Sequence, residues 1–508
     1  LTSYRTEAGA ARMNFELAEL LYEDKRYREA LDEYEKTAWS YGPHPHASEA
    51  ALGAQRATDK ILHQAGPAER LTLTERASDS ALRFIITHPG NLAAPGLLAK
   101  TGKSILDEQD HSKAIEYSEQ VLALEPASAA LKQVAWSLKA QALFAGQDYS
   151  AAASAYRQAL QLADVEDPRQ PALQTGLASA LYKQGEQALS RGDKTQAANL
   201  YQQAAMLAPD SPVGASALYD AATTSLTLES WQEAVSLLQL FRASYPNDPR
   251  QGEITRKLAY AYENSQDYTL AASEYLRLGQ DSQQPELVQG EALLRAAELY
   301  RQTGVAEQAT TTYERYLEHF PEPGVRAVEA MQQLADLELE AGDSQRRRHW
   351  LQAIVALDRT DGNLATHTVA AEAALELAGQ QLTAFRRIQL VAPVQEHVAQ
   401  KIEAMKQALR AYEAVLDYGV YPVTTAATHQ IASMYDEMGR ELLASEPPAG
   451  LTAGEAAEYK RLLAQQAAPF EQKAIEIYQS NAQRSGSAQR DTWVQKSEQQ
   501  LDELQHGR

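Results

Sequence analysis

Cysteine is absent from this chain of 508 residues. Disulfides, thiolate nucleophiles and zinc sites built on cysteine are therefore excluded. A chain without thiols suits an oxidising compartment, although any compartment accommodates it. Long apolar runs are lacking too, since none approaches the roughly 20 residues that a membrane-spanning helix requires. The chain begins at Leu1 without a methionine, which is compatible with removal of a signal peptide or lipid anchor.

An excess of basic residues is also missing. The chain holds 68 Asp and Glu against 47 Lys and Arg, which gives a formal net charge of −21. Nucleic acid and anionic lipid surfaces are poor partners for such a chain, because both require a basic face. Proteins that carry basic segments are suitable partners, and the negative charge favours solubility.

The residues that are abundant predict helices. Hydrophobic residues make up 44% of the chain, which is ample for a core. Ala, Leu, Gln and Glu dominate and are good helix formers, whereas Val and Ile are scarce. No segment shows the clear apolar–polar alternation of a half-buried strand. The sequence therefore predicts an all-α protein.

A unit of about 34 residues recurs along the first two thirds of the chain. Each unit has a small residue within a first helix, a turn, and then an Ala and an aromatic residue in a second helix. Gly185, Gly192, Ala197, Tyr201 and Pro209 show this pattern clearly. Two helices cross closely only where small residues lie between them, and Pro ends the second helix. One pair cannot bury its apolar face alone, so the pairs must stack.

This pattern resembles the tetratricopeptide repeat family, with about nine units over residues 10–360. The resemblance implies a right-handed α-solenoid of antiparallel helix pairs. We predict a repeat array over residues 1–360, in which the units at 47–90 and 324–358 are irregular. Residues 361–508 are predicted to form a helical extension with capping helices. A non-repeat helical bundle is the alternative.

Helices become longer in the C-terminal extension. The pattern predicts a helix that ends near residue 445 and four further helices, over 364–391, 394–417, 453–482 and 490–504. Pro393 separates the first two of these four, and Pro469 is expected to break the third mildly. The polar segment 484–508 fits the terminal cap that a solenoid requires.

Two segments resemble repeat proteins of Gram-negative envelopes. The run from Gln466 to Ile477, with Trp493 and Val494 following, looks like the tail of long tetratricopeptide proteins that accompany Tol- or gliding-type complexes. The run from Tyr245 to Pro249 looks like the repeats of envelope lipoproteins that bind Tol proteins or assemble outer-membrane barrels. These resemblances imply a periplasmic or outer-membrane-associated scaffold, with a cytoplasmic scaffold as the alternative.

Motifs that suggest chemistry have simpler interpretations. The run from Thr101 to Ser104 ends like a phosphate-binding loop, but its upstream glycine is one residue too far away and no strand precedes it. His44 and His46 lie in an inter-repeat turn with no third metal ligand nearby. The run from Arg346 to His349 is a solvated helix face or a docking point for an acidic partner. We therefore predict no catalytic residue, no cofactor, no metal and no enzyme activity.

Partner-binding residues follow from the repeat register, because the first helix of each pair lines the concave surface in the tetratricopeptide family. The residues predicted on this basis are Tyr182, Tyr219, Arg256, Tyr260, Glu291, Glu298 and Arg301. Tyr182 and Tyr219 occupy the same position in adjacent units, so they either stack along the groove or pack within their own repeats. From Glu253 to Asp336 the predicted surface is mainly acidic, which suits a partner segment rich in Lys and Arg.

These features favour a protein-interaction scaffold or adaptor that binds partner segments on its concave face, in a bacterial envelope complex. Two alternatives stay open. The chain is a non-catalytic solenoid part of a larger enzyme or transferase, or it is a peptidoglycan- or glycan-binding module, which the tyrosines of the groove suggest.

Overall fold

The fold consists of helices, as the sequence predicts. The structure is a computed structural model that describes residues 8–164, 166–320, 324–361, 364–391, 394–448, 450–484 and 491–506. These residues form 23 α-helices and no β-strand. No helix within the described ranges combines the length and the apolar character needed to cross a membrane. Pro393 lies outside the described residues.

The chain divides into two compact units, of which the first spans Leu1–Gln266. Its helices are α1 (Ala8–Glu23), α2 (Tyr27–Ser40), α3 (Ala47–Leu62), α4 (Pro67–Thr87), α5 (Ala94–Asp107), α6 (His111–Leu122), α7 (Ala129–Ala145), α8 (Tyr149–Gln161), α9 (Gln170–Ser190), α10 (Lys194–Leu207), α11 (Pro212–Thr227), α12 (Trp231–Ser244) and α13 (Gln251–Asn264). Successive helices pack against each other as antiparallel pairs. First helices of neighbouring pairs also touch, as α5 touches α7, α7 touches α9 and α9 touches α11. These first helices thus form a continuous face.

The second unit spans Asp267–Arg508. Its helices are α14 (Tyr268–Gly279), α15 (Glu286–Gln302), α16 (Ala306–His319), α17 (Val325–Ala341), α18 (Ser344–Asp361), α19 (Leu364–Arg387), α20 (Val394–Leu416), α21 (Tyr421–Ala444), α22 (Ala453–Ala482) and α23 (Thr492–His506). Neighbouring helices pack in pairs here as well. The predicted all-α architecture of stacked helix pairs is confirmed within each unit. The predicted boundary near residue 360 stays a prediction.

The turns between paired helices repeat one local design. A residue with positive φ is followed by an Asp whose carboxylate accepts a hydrogen bond from the backbone N–H three residues on. The three clearest capping residues are Asp110, Asp148 and Asp193, each with a 3.0 Å bond. Gly192 precedes Asp193 with φ of +84°, a conformation that favours glycine, so the predicted turn is confirmed. Such a cap satisfies one of the free N–H groups at a helix start.

Small residues lie where the helices of a pair cross. A Cβ atom added to Gly185 would lie 2.6 Å from a ring carbon of Tyr201, which is fully buried on the second helix of the same pair. Gly53 meets Tyr34 and Gly176 meets Tyr156 at 2.5 Å as well, but these tyrosines lie on the second helix of the preceding pair, so these two close approaches join successive pairs. At Gly185 the predicted crossing position within a pair is confirmed, because no side chain larger than hydrogen fits there without movement.

Helix α22 runs through Pro469 without interruption, so the predicted break at this residue is wrong. Proline removes one N–H from the helix, yet the helix continues on both sides of it over 30 residues. Residues on both sides of the proline are anchored on α21. Ala467 packs into the cluster around Met438, and Ala474 packs against Ala432. This packing on two sides holds the two halves in one helix.

Candidate partner-binding grooves

A mainly apolar concavity lies in the first unit, on the face made by first helices. We name it the upstream groove, with a volume of 560 Å³. Three consecutive first helices, α5, α7 and α9, supply nearly all of its lining. The residues that line it are Ala99, Lys103, Leu106, Gln133, Val134, Ser137, Leu138, Gln141, Tyr156, Arg169, Ala172, Leu173, Thr175, Gly176 and Ser179. A groove that follows three helices in a row can hold an extended segment.

The upstream groove has an apolar floor and polar walls. Leu138 and Leu173 are almost fully buried, at 5% and 4% exposure, and form part of the floor. Hydroxyl and amide groups of Ser137, Gln141 and Thr175 line the walls. This composition matches ligand pockets in general, which are mostly apolar with a few polar groups that fix orientation.

Two cations lie at the upstream groove, and they differ in their partners. Arg169 donates two hydrogen bonds to the carboxylate of Asp167, at 3.1 and 3.0 Å, and Gln133 donates a third at 2.7 Å. These bonds, above all those from Arg169, hold the pKa of Asp167 far below its usual value. Lys103 is exposed and has no ion-pair partner among the residues that the structure describes. Lys103 therefore gives the groove an uncompensated positive charge.

This groove was not predicted from the sequence, in which Lys103 stands out only as part of a possible phosphate-binding loop. The structure places Thr101–Ser104 inside α5, and a Cβ atom on Gly102 would lie 2.6 Å from Leu138, so the rejection of that loop is confirmed. A signal was present in the small residues of α9, since Ala172 lines the groove and Gly176 admits the ring of Tyr156 that lines it as well. Their meaning depends on neighbouring helices, which the repeat pattern alone does not position.

Tyr182 and Tyr219 pack within their own repeats. The ring of Tyr182 lies 5.3 Å from the ring of Tyr201, and the ring of Tyr219 lies 5.9 Å from that of Phe241. The hydroxyl of Tyr182 also donates a 2.6 Å hydrogen bond to Asp220 in the next repeat. Burial and this carboxylate raise the pKa of Tyr182. Both rings thus contribute to packing, which was one of the two arrangements considered for them.

Tyr219 lies among charges supplied by α13 and by Arg250, the residue directly before it. The guanidinium carbon of Arg250 lies 4.8 Å from its ring centre, and the ammonium of Lys257 lies at 5.5 Å. Burial raises the pKa of Tyr219 to about 12, with a further contribution from its hydrogen bond to Glu253. A cation over an aromatic ring is attracted to the face of that ring. Arg250 and Lys257 therefore already cover the ring of Tyr219.

Arg256 and Tyr260 are exposed on α13. Tyr260 is 51% exposed, and its ring meets that of Trp231 edge-on at 5.7 Å. Of the tyrosines predicted to bind a partner, Tyr260 therefore offers the most accessible surface.

The second unit contains a polar groove of 610 Å³, which we name the downstream groove. It is lined by Leu294, Glu298, Arg301, Gln302, Tyr313, Arg326, Glu329, Ala330 and Gln333. Two predicted residues, Glu298 and Arg301, lie in it directly. Glu291 lies 3.4 Å from Arg326 of this lining. The structure thus brings these three predicted residues to one groove.

Carboxylates around the downstream groove are paired with cations of the same unit. Glu298 accepts a hydrogen bond from Arg295 at 2.8 Å, and Arg301 lies 3.7 Å from Glu340. The lining itself contains two Glu and two Arg side chains. The structure therefore adds no support for a preference of this surface for Lys- and Arg-rich segments.

The run from Arg346 to His349 forms contacts between helices. Arg347 donates two hydrogen bonds of 2.6 Å to Glu376 on α19 and one of 2.9 Å to the carbonyl of Ala335 on α17. Arg348 donates to the side chain of Gln380, also on α19. Arg346, Arg348 and His349 are exposed, so the run is solvated over most of its length, while its arginines also join α18 to neighbouring helices.

The two histidines of the first inter-repeat turn also have structural contacts. Nε2 of His44 lies 2.8 Å from the carbonyl oxygen of Thr37, to which it donates. The ring of His46 stacks on Phe15 at 5.1 Å. Across the described residues, no cluster of three or more His, Asp or Glu side chains is arranged to hold a metal ion.

Comparisons with known proteins agree with this architecture. Residues 213–400 match the family model YfiO, described as outer membrane lipoprotein. Residues 137–190 and 179–211 match two tetratricopeptide repeat models. No curated protein matches the chain.

Several solved structures match parts of the chain. The C-terminal part of a TPR repeat-containing protein from Cytophaga hutchinsonii shares 16% identity over 53% of this chain and 98% of its own, with a TM-score of 0.24. A tetratricopeptide repeat protein from Parabacteroides merdae shares 13% identity over 52% of this chain and 93% of its own, with a TM-score of 0.24. Pseudomonas aeruginosa pilF shares 16% identity over 51% of this chain and 99% of its own, with a TM-score of 0.21. The chain carries tetratricopeptide repeats, and its residues 213–400 are similar to an outer membrane lipoprotein family.

Proposed function

We propose that this chain is a protein-interaction scaffold that holds a segment of a partner protein in the upstream groove, within a bacterial envelope complex. The observation that carries the proposal is the groove itself, which follows the first helices of three consecutive repeats. Tetratricopeptide repeats imply such a role, and families built from them are generally not catalytic. We therefore assign the chain no reaction of its own.

The chemistry of the upstream groove indicates the kind of segment that fits. Its apolar floor suits aliphatic or aromatic side chains, which gain most from leaving water. The uncompensated charge of Lys103 suits an acidic residue or a terminal carboxylate. The preferred segment is thus apolar with one acidic group, rather than the Lys- and Arg-rich segment that the sequence suggested.

The envelope location rests on two supports. One is the match of residues 213–400 to an outer membrane lipoprotein family. The other is the resemblance of the run from Tyr245 to Pro249, which lies within that range, to repeats of envelope lipoproteins. A peptidoglycan-binding role receives less support, because the rings of Tyr182 and Tyr219 are packed against their own repeats.

The test uses the full chain immobilised and exposed to detergent-solubilised envelope of the native cell. Retained proteins are identified, and the affinity of the purified partner is then measured for wild type and Lys103→Glu. We expect a loss of at least about tenfold for this variant, which corresponds to about 1.4 kcal/mol. Lys194→Glu is the matched control, since Lys194 is an exposed lysine on α10 away from the groove.

Thermal melting shows whether both variants fold like wild type. Equal affinity of Lys103→Glu and wild type would place the binding site elsewhere. Failure of the wild-type chain to retain any envelope protein would contradict the scaffold role itself.

A further inference from the structure

Tyr156 is a buried side chain in the lining of the upstream groove. It lies on the second helix α8, whereas nearly all of the lining comes from first helices, and it is 7% exposed. A Cβ atom added to Gly176 on α9 would lie 2.5 Å from the ring of Tyr156 and 2.9 Å from its hydroxyl oxygen. The missing side chain at Gly176 thus lets the phenol reach the groove beside α9.

The hydroxyl of Tyr156 has no hydrogen-bond partner among the residues that the structure describes. Burial raises the pKa of Tyr156 to about 12, so the hydroxyl keeps its proton at neutral pH and is a donor. Tyr34, at the same repeat position, donates a 2.6 Å hydrogen bond to Glu19. Because an unpaired buried hydroxyl is unfavourable, an acceptor that a ligand brings to Tyr156 is stabilising.

Two other hydroxyls of the upstream groove already use their protons. Thr175 donates to the carbonyl of Pro171 at 2.9 Å, and Ser179 donates to the carbonyl of Thr175 at 2.8 Å. Both bonds lie within α9 and are made before any partner binds. Tyr156 differs, because the described part of the chain offers its hydroxyl no acceptor.

An extended segment brings backbone carbonyls into the groove. These carbonyls lose water when the apolar side chains of the segment pack on the floor around Leu138 and Leu173, and each buried carbonyl then requires a donor. Lys103 lies on α5, whereas Tyr156 lies beside α9, at the other end of the row of three helices. Lys103 and Tyr156 therefore contact different parts of the segment.

We propose that the hydroxyl of Tyr156 donates a hydrogen bond to a backbone carbonyl of the partner segment and so sets the register in which that segment lies. The inference rests on the proposed function of the upstream groove. It adds a second contact point to the one at Lys103. The segment it describes is extended and apolar, with an acidic side chain on the α5 side and a carbonyl bound by the phenol on the α9 side.

The test starts from a defined peptide. A library of random short peptides, fused at their C-termini to a phage coat protein, is selected on the immobilised full chain. The tightest peptide that Lys103→Glu does not bind is synthesised with a fluorescent label and an amidated C-terminus, so that only side chains supply a carboxylate. Affinity is measured by fluorescence anisotropy.

Tyr156→Phe should bind this peptide about three- to tenfold more weakly than wild type, because it loses one hydrogen bond to a neutral acceptor. Its melting should match wild type, since the hydroxyl makes no bond in the described chain. Tyr201→Phe is the matched control. It removes the same group at the same position of the next repeat, where the tyrosine is 2% exposed but does not line the groove, and it should bind like wild type.

A second measurement leaves the protein unchanged. Each backbone amide of the peptide is replaced in turn by an ester, whose carbonyl is a weaker acceptor. One replacement should weaken binding to wild type more than binding to Tyr156→Phe.

The outcomes separate this inference from the proposed function. Equal affinity of Tyr156→Phe and wild type for a peptide that depends on Lys103, or the absence of any such ester position, would overturn the inference and leave the proposed function standing. A lower melting temperature of Tyr156→Phe than of Tyr201→Phe would also overturn it, since the hydroxyl would then have a partner within the chain. Selection of no peptide that depends on Lys103 would contradict the proposed function and the inference together.

Discussion

Acidification should release the terminal helix α23 from the rest of the C-terminal section, through protonation of one buried histidine. His429 on α21 is 9% exposed, and its Nδ1 lies 3.0 Å from the hydroxyl oxygen of Ser497 on α23. That hydroxyl donates to the carbonyl of Trp493, at 2.9 Å, and accepts from Asn481, also at 2.9 Å. Because the hydroxyl proton is already used, Nδ1 of His429 is the donor in its hydrogen bond with Ser497.

The pKa of His429 sets the size and sign of the effect. Burial, with smaller contributions from the positive charges of Lys496 and Arg386, lowers this pKa from 6.5 to about 4. A depressed pKa means that the stabilising contribution is fully present above pH 6.5 and is lost as pH falls towards 4. This pKa difference of about 2.5 corresponds to a contribution of about 3 kcal/mol to the free energy of unfolding. About 2 kcal/mol of that contribution is lost between pH 7 and pH 5. His367 has the opposite pH dependence. Its hydrogen bond with Asp358 raises its pKa, so its stabilising contribution is present at low pH and is lost as pH rises.

Hydrogen exchange read by mass spectrometry measures this opening locally. Protection of amides in residues 492–506, corrected for intrinsic exchange, should fall about 30-fold from pH 7 to pH 5 if opening exposes His429. Helix α7 serves as an internal reference. His429→Asn is the matched variant, since its amide can still donate to Ser497 but does not titrate, and its α23 protection should not depend on pH. Equal protection of α23 at both pH values in wild type, or an equal fall in the variant, would refute the reasoning.

Three further predictions concern the repeats and the grooves. Gly185→Leu should lower the free energy of unfolding by about 1–3 kcal/mol in urea titration, because a side chain there meets the ring of Tyr201, and unchanged stability would disprove the crossing register. Arg347→Lys should cost about 1 kcal/mol in the same assay, since lysine cannot make the two parallel bonds to the carboxylate on α19, and an equally stable variant would show that these bonds contribute nothing net. Glu291→Lys/Glu298→Lys should leave the affinity of a partner held in the upstream groove within about twofold of wild type, as measured by titration calorimetry, whereas a tenfold loss would move the partner to the downstream groove.

Features that depend on near neighbours in the chain were predictable. The turn at Gly192 and the helix start at Asp193 involve residues within a few positions of each other, so composition and spacing are sufficient. The pairing of Gly185 with Tyr201 spans one turn between two helices, and the repeat period exposes it. Proline at 469 is the instructive exception, because local propensity predicts a break and packing of α22 on α21 overrides it.

Features that depend on several helices were not predictable. The run from Arg346 to His349 finds its partners on α17 and α19, up to 32 residues away, and nothing in its own pattern indicates them. The predicted acidic surface of the second unit is matched by arginines from neighbouring helices. Charge counted along a chain is therefore a poor guide to the charge that a surface presents.

The sequence by itself determined that the chain is helical, that it is built of tetratricopeptide units, and which small residues lie at the helix crossings. These properties follow from the sequence period of about 34 residues and from contacts that recur in each unit. Only the tertiary structure decided where surface is left open, namely the upstream groove around Lys103. Openness is a property of how neighbouring helices cover each other, so Leu138 on α7 is buried in the floor of this groove whereas Lys103 on α5 stays exposed beside it.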